Sequence, residues 1–362
     1  MNRYNILHNY VVCIKAVDLF CGAGGLTHGL LKAGIDVIAG IDIDEDSRFP
    51  FEANHKNANF IRQCVSKVTT SELNALWKDA EVRLLAGCCP CQPFSKLTNG
   101  QKKHEDWGLL SHFTRLVKST EPELVLMENV PELPQKGALL FGNLLKVLKS
   151  LGYQFDHGIV KCEEHGVPQF RRRFVLIASK LGPISIPSGD FSNEKKQKTV
   201  RSAIQDLPSL ESGQKHGSDH LHVAAKLSDM NLRRIRHTPH DGGSRKDWPD
   251  ELLPDCYRRE SGSRYVSIYG RMWWDRPAPT ITTLCMGLGN GRFGHPEQDR
   301  AMTLREAALL QSFPKNYKFI KPGEPLVRGA VGRMIGNAVP PALGKSLGKA
   351  MVKHTESLLS KV

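Results

Sequence analysis

The chain has 362 residues, enough for two domains or one large one and for a full hydrophobic core. Lysine and arginine number 50 against 37 aspartates and glutamates, a net charge of +13 that points to a polyanionic partner. The longest apolar runs are too short to span a membrane, and nine cysteines with neither a disulfide-like framework nor a signal peptide exclude a secreted, disulfide-stapled protein; a reduced, cytoplasmic one is expected.

After a polar-aromatic lead-in over residues 1–13, Ile14 to Phe20 reads as the first strand. Cys21-Gly22-Ala23-Gly24-Gly25 is a tight turn, and Leu26 to Ala33 a helix stopped by Gly34. Glycines in such a turn let backbone N–H groups and a helix N-terminus approach a ligand closely. The spacing is not the G-x-G-x-x-G fingerprint, because Thr27 holds the last position. The second strand, Val37 to Ile41, ends in Asp42, a carboxylate placed to accept hydrogen bonds from ribose hydroxyls, with Ile43 beside it for an adenine face. Turn and acid together indicate a nucleoside-type cofactor. Asp44, Glu45 and Asp46 suit a helix N-terminus. Phe60-Ile61 begins a third strand that runs into Gln63-Cys64-Val65.

The apolar run Val82 to Ala86 is the fourth strand, ending at Gly87 before Cys88-Cys89-Pro90-Cys91-Gln92-Pro93-Phe94-Ser95. Open α/β sheets place their chemistry at such strand ends. A thiolate is a strong nucleophile near neutral pH, and the three cysteines lack a second ligand pair at zinc spacing. Cys91 is therefore a nucleophile or filler, not a metal ligand. The polar stretch Lys96 to Trp107 is a loop that closes over substrate or a solvated loop; residue types leave both open. Leu124 to Met127 is the fifth strand, and Glu128 at its end is placed either as a general acid or as a cap for the next helix. That helix is Leu139 to Leu151, with Leu140, Leu144, Leu145, Leu148 and Leu151 on one face.

Phe155 to Val160 is a further strand, and Phe174 to Ala178 another. Between them Gln169, Arg171 and Arg173 share one face by alternation, Phe170 and Arg172 the other. Arginines entering a buried strand are costly unless they meet an anion or polar substrate. Arg201 to Leu207 is a short helix stopped by Pro208. From residue 209 to about 300 periodicity fades, and Arg233, Arg234, Arg236 and Arg271 are interleaved with Tyr265, Tyr269, Trp273 and Trp274, a composition suited to phosphate contacts and base readout. Thr303 to Leu310 is a helix; Ile335-Gly336-Asn337-Ala338-Val339-Pro340-Pro341 is a second glycine-bearing turn before a last helix, Ala342 to about Leu359.

Six stretches in order carry a family resemblance: Asp18-Leu19-Phe20-Cys21-Gly22-Ala23-Gly24-Gly25, Pro90-Cys91-Gln92-Pro93-Phe94-Ser95, Glu128-Asn129-Val130, Gln169-Phe170-Arg171-Arg172-Arg173, Arg201-Ser202-Ala203-Ile204-Gln205-Asp206-Leu207 and Gly336-Asn337-Ala338-Val339-Pro340-Pro341. Across almost its whole length the chain resembles the DNA (cytosine-5) methyltransferases of restriction–modification systems. The resemblance implies an α/β fold with a doubly wound, mostly parallel sheet of the S-adenosylmethionine-dependent methyltransferase type. It implies a discontinuous catalytic domain, residues 1–208 and 326–362, and a smaller, irregular target-recognition domain, residues 209–325.

The resemblance also implies roles. Cys91 attacks C6 of a flipped-out cytosine, Glu128 binds N3 and the exocyclic amine, Arg173 steadies the O2 edge, and Arg171 supports the site. S-adenosylmethionine is held by Phe20, Cys21, Gly22, Gly25, Asp42, Ile43, Cys64, Pro90, Leu110 and Asn337. DNA contacts are expected from Gln92, Ser95, Gln169, Arg233, Arg234, Arg236 and Arg271, and the loop after Cys91 is expected to close on substrate. Cys64 stands where most members carry an acid that meets the adenine amine. Cys88 and Cys89 are left as packing residues at the strand end. The expected partner is double-stranded DNA, methylated at a specific sequence by a cytoplasmic monomer of bacterial or phage origin, with a cognate restriction endonuclease acting on the same sequence. A transfer-RNA cytosine-5 methyltransferase and a catalytically inactive DNA-binding relative are the alternatives. Cys285-Met286-Gly287 does not match the Cys-Phe-Thr signature of the former, and the intact Cys91 and Glu128 motifs argue against the latter.

Overall fold

The computed structural model describes residues 12–90, 108–259 and 267–359. Seven strands form one sheet in the order β3-β2-β1-β4-β5-β7-β6: β1 Ile14–Leu19, β2 Asp36–Asp42, β3 Asn59–Arg62, β4 Val82–Gly87, β5 Leu124–Asn129, β6 Gln154–Lys161 and β7 Arg172–Ser179. The first five are parallel; β7 runs antiparallel to β5 and pairs antiparallel with β6. The chain winds from β1 to β2 and β3 on one side, then returns to place β4 and β5 on the other. The crevice beyond the carboxyl ends of β1 and β4 is therefore the topological switch point, where such sheets bind ligands.

Alternation along the strands builds two apolar layers. Val17, Leu19, Leu85, Val125 and Met127 face Phe113, Leu116, Leu144 and Leu148. Ala16, Val37, Leu84, Ala86 and Leu126 face Leu30, Leu343, Leu347 and Met351. Parallel strands covered on both faces read as continuous apolar runs, which is why β4 and β5 were legible as strands. The Gly25–Lys32 helix lies so close to the Pro341–Leu359 helix that a Cβ on Gly29 would stand 2.5 Å from the Pro341 carbonyl oxygen.

Among the described residues of 209–325 there are short helices, Asp229–Arg236 and Leu304–Leu310 among them, and isolated bridges in place of a sheet. A third apolar cluster holds Ile204, Met272, Trp274, Ile281, Phe313, Tyr317 and Ile335 together with Ala23 from the first turn. Thr303 and Glu306 form a reciprocal capping box that starts the Leu304–Leu310 helix.

Three local readings are corrected. β1 ends at Leu19, because Phe20 turns into a left-handed conformation with φ of 59°. β3 ends at Arg62, and Val65–Lys67 is a helical turn. Ile335, Gly336 and Asn337 are the last turn of a helix, Arg328–Asn337, whose apolar face shares the third cluster. Its three glycines, Gly329, Gly332 and Gly336, weaken the local helix signal, and tertiary packing overrides it.

Candidate active site

The site is built on the turn after β1. Phe20 N–H donates to the Ile41 carbonyl (2.7 Å), bending the chain toward β2. Gly22 N–H then donates to Asp42 Oδ2 (2.8 Å), and Asp44 N–H to Asp42 Oδ1 (2.9 Å). Asp42 thereby locks the turn to the end of its strand. Gly24 caps the following helix at φ 85°, and a Cβ there would lie 2.3 Å from the His55 ring, so both its conformation and its neighbour demand glycine. A Cβ on Gly22, by contrast, would meet no atom within 4 Å. The backbone is open on that side, toward a cavity of about 380 Å³.

Phe20, Cys21, Gly22, Gly25, Asp42, Ile43, Cys64, Pro90 and Asn337 line that cavity, and so do Glu128 and Arg173. Strand ends of β1, β2, β4 and β5 are thus brought to one space. Cys64 faces it with its thiol 3.0 Å from the Ser66 hydroxyl. Arg115 braces that loop by donating to the Val68 carbonyl (2.8 Å).

Glu128, next to last in β5, is 2% exposed. Cys88 Sγ donates to its Oε2 (2.7 Å), and Arg173 Nε lies 2.9 Å from its Oε1 as an ion pair. The ion pair is poorly aligned, so Oε1 has no hydrogen-bond partner among the described residues. Burial pushes the Glu128 carboxyl above its ordinary range; Arg173, Cys88 and Arg171 pull it back without reversing the shift. Cys88 is therefore more than strand-end packing, since its thiol holds one carboxyl oxygen. Asn129 anchors the neighbouring chain by donating to the Cys89 carbonyl (3.1 Å). Burial pushes the Cys89 thiol well up, which keeps it protonated.

Arg171 lies behind the cavity wall. It donates to the carbonyls of Ile281 (2.9 Å) and Gly336 (2.8 Å), tying the segment before β7 to two distant stretches of chain. Burial, then repulsion from Arg173, lowers it to about 9, so it stays charged at neutral pH. The expected alternation is observed: Gln169 and Arg171 are buried, whereas Phe170 and Arg172 are exposed.

Several expected contacts are corrected. Leu110 is buried in the core below the sheet, and its neighbour Leu109 lines the cavity instead. Gln169 is fully buried; its amide donates to the Leu310 carbonyl and accepts from Ile281 N–H, leaving no face for DNA. Arg271 is also fully buried. Its guanidinium donates to the carbonyls of Ile235, Thr238, His295 and Gln298 and pairs with Asp299, so it organises the fold around it. Arg234 is spent on the Leu252 carbonyl and Asn231 and covers the Trp248 and Tyr269 rings. Arg233 and Arg236 are exposed, the latter 3.8 Å from Asp299. Cys91, Gln92, Ser95 and the loop Lys96–Trp107 lie outside the described residues.

Sequence reasoning missed Asp18, which lines the cavity although its motif was noted, and Arg333, which closes one edge of it. Arg333 donates to Asp44 (2.8 Å) and Asp46 (3.0 Å), side chains nearly three hundred residues away. The acidic run after Asp42 was one half of that signal; nothing local marked the other half.

A family model described as "C-5 cytosine-specific DNA methylase" matches residues 14–353. The Type II methylase M.HgiDII of Herpetosiphon aurantiacus is 47% identical over 344 residues, 94% of this chain and 96% of that one. The Type II methyltransferase M1.BsuMI of Bacillus subtilis (strain 168) is 33% identical over 91% of this chain and 78% of that one. Among solved structures, a Spodoptera frugiperda DNMT2 mutant superposes with a TM-score of 0.64 at 15% identity, covering 93% of this chain and 99% of that one, a likeness of fold alone.

Proposed function

Because the chain belongs to the C-5 cytosine-specific DNA methylases, we propose that its cavity brings a bound methyl donor against a cytosine flipped out of duplex DNA, with Cys91 as nucleophile. The chain is a DNA (cytosine-5-)-methyltransferase whose methyl donor is S-adenosylmethionine. The observation that carries the reading is that Asp42 and Glu128 open into one space, separated by β1 and β4. The residues present fit the donor: an open glycine backbone at Gly22, a fixed carboxylate at Asp42 for the ribose, and Phe20, Ile43 and Val65 as apolar walls.

Position 5 of cytosine is a weak nucleophile. Addition of the Cys91 thiolate to C6 pushes electron density onto C5. Glu128, whose proton is favoured by burial, donates to N3 as that charge develops and accepts from the exocyclic amine. Arg173, already paired with Glu128, meets the O2 edge. Arg171 is a positioning residue: its bonds to Ile281 and Gly336 hold the wall, and its charge favours the thiolate. When bound, S-adenosylmethionine supplies an electrophilic methyl group for C5. Loss of the C5 proton and departure of Cys91 then restore the aromatic ring. A duplex hides C6, so the base has to leave the stack.

Residues 209–325 form the target-recognition domain on this reading, and residues 1–208 with 326–362 the catalytic one. The enzyme works as a cytoplasmic monomer, of bacterial or phage origin, and protects DNA from a restriction endonuclease cutting the same sequence. Bisulfite sequencing of DNA from expressing cells will give one methylated sequence word, and Cys91→Ala will lose it while DNA binding persists. Retained methylation in that variant overturns the mechanism. DNA with 5-fluorocytosine at the target forms a covalent adduct, because fluorine cannot leave as a proton. Exchange of residues 209–325 with those of another member changes the word.

A further inference from the structure

At the base pocket Glu128 has two demands to meet. Its plane has to be fixed, because one oxygen meets N3 and the other the exocyclic amine. It also has to keep a proton that it can give. Strong donors serve the first demand and work against the second, since a hydrogen bond to the charged form favours that form. Among the described residues, Arg173 Nε stands 2.9 Å from Oε1 and the Cys88 thiol donates to Oε2 (2.7 Å). Arg173 supplies charge without direction, since Oε1 has no hydrogen-bond partner among the described residues. The direction comes from a thiol, a weak donor.

The fold holds that thiol firmly. β4 and β5 run parallel with Gly87 opposite Met127, so Cys88 and Glu128 are the next residues along neighbouring chains. Cys88 N–H donates to the Leu19 carbonyl at the end of β1 (3.3 Å), and the Cys89 carbonyl accepts from the Asn129 side chain at the end of β5 (3.1 Å). The segment after β4 is thereby tied to the strand on either side of it. Cys89 turns into the core, 2% exposed, whereas Cys88 lines the cavity. A donor pinned through its backbone to two strands holds its acceptor's plane before substrate arrives.

Resting on the base-binding role of Glu128 given above, we propose that Cys88 is its positioning residue: the thiol turns the carboxyl plane toward the incoming cytosine. Being a weak donor, it fixes direction and leaves the proton in place. The electrostatics agree. Burial raises Glu128, and Arg173, then Cys88, then Arg171 oppose the rise without cancelling it. Among the described residues, Cys89 after β4 and Cys162 after β6 are the other titratable groups near it. Both thiols are buried and held protonated, so neither adds charge.

Single-turnover methyl transfer across pH tests this, on duplex DNA carrying the sequence found by bisulfite sequencing. The descending limb of the profile reports Glu128, because the rate falls once its proton is lost. Cys88→Ala removes the donor, the carboxylate loses support, and the limb moves up by about half a pH unit or more. Cys88→Ser sets a stronger donor at the same position, and the limb moves down by about as much. Cys88→Ala also slows the step at its optimum by roughly tenfold, while affinities for the duplex and for S-adenosylhomocysteine, the demethylated product, stay within about twofold. In a Glu128→Gln background, adding Cys88→Ala changes the rate by less than about twofold. Limbs that do not move apart, a loss confined to affinity, or additive losses in the double variant overturn the proposal. Should Cys88→Ala fail to fold, the direction of the limb in Cys88→Ser decides. A Glu128→Gln variant as fast as the wild type overturns the role of Glu128 itself.

Discussion

Two buried arginine–carboxylate pairs in this molecule are made of the same residue types and behave in opposite ways. In the irregular region, Arg300 donates twice to Glu306 (2.9 and 2.6 Å), and Thr303 N–H adds a third bond (2.7 Å). The completed set holds the Glu306 carboxyl down at about 2 despite full burial. At the cavity, Glu128 is just as buried, but Arg173 meets it in one poorly aligned contact and the carboxyl is pushed up. Where both oxygens have donors, the pair stabilises the fold. Where one oxygen has no hydrogen-bond partner among the described residues, burial shifts the carboxyl toward its protonated form.

The comparison breaks most visibly through Glu128. Glu128→Gln should lower single-turnover methyl transfer by about 10²–10⁴-fold, the usual weight of a general acid, without lowering the urea midpoint. A variant that unfolds more easily than the wild type would place Glu128 with Glu306. The converse change, Glu306→Gln, leaves Arg300 buried without its countercharge. It should cost about 3–5 kcal/mol of stability in urea unfolding, with the affinity of the folded fraction for S-adenosylhomocysteine unchanged.

Acid sharpens the same contrast. The folded-state value for Glu306 lies below the ordinary 4.5, so its contribution is complete above about that pH and is lost as pH falls toward about 2, roughly 3 kcal/mol in all. Glu128 is shifted the other way: the folded state holds its proton more tightly, so its linked stability falls as pH rises through the raised value. Denaturation midpoints in Glu306→Gln should therefore lose much of their acid dependence, and those in Glu128→Gln should not.

Arginines of the irregular region divide similarly. Arg233→Ala should leave stability unchanged and reduce the salt slope of DNA binding by about one, as for one lost phosphate contact. Arg271→Met should instead lower the unfolding midpoint. The smallest effect is expected at Arg333, half-exposed beside the cavity. Arg333→Ala should weaken S-adenosylhomocysteine by no more than about threefold, since exposed ion pairs contribute little.

Much of the sheet was legible. The short apolar runs of β4 and β5 and the glycine turn after β1 mark their own positions, because strand period, burial and positive φ are set by nearby residues. The roles drawn from motif order place Phe20, Cys21, Gly22, Gly25, Asp42, Ile43, Cys64, Pro90, Asn337, Glu128 and Arg173 around one cavity. The misreadings share a cause. Arg271 and Gln169 look on paper like any exposed polar residue, yet the partners that bury them include chain 24 to 142 residues distant; Leu110 turns into the core from the helix on which Leu109 lines the cavity.

By itself, then, the sequence determined which apolar runs become strands, the glycine turn and the order of chemistry-bearing motifs, since these depend on local backbone geometry and residue type. Only the tertiary structure decided which buried charges are complete. Arg300 and Glu306 close on each other within one turn and its cap, whereas Glu128 depends on β7 and Cys88, and Asp18 accepts from Thr27 on the neighbouring helix. A carboxylate's proton affinity is the sum of its burial and its partners, and those partners are assembled by packing across the sheet.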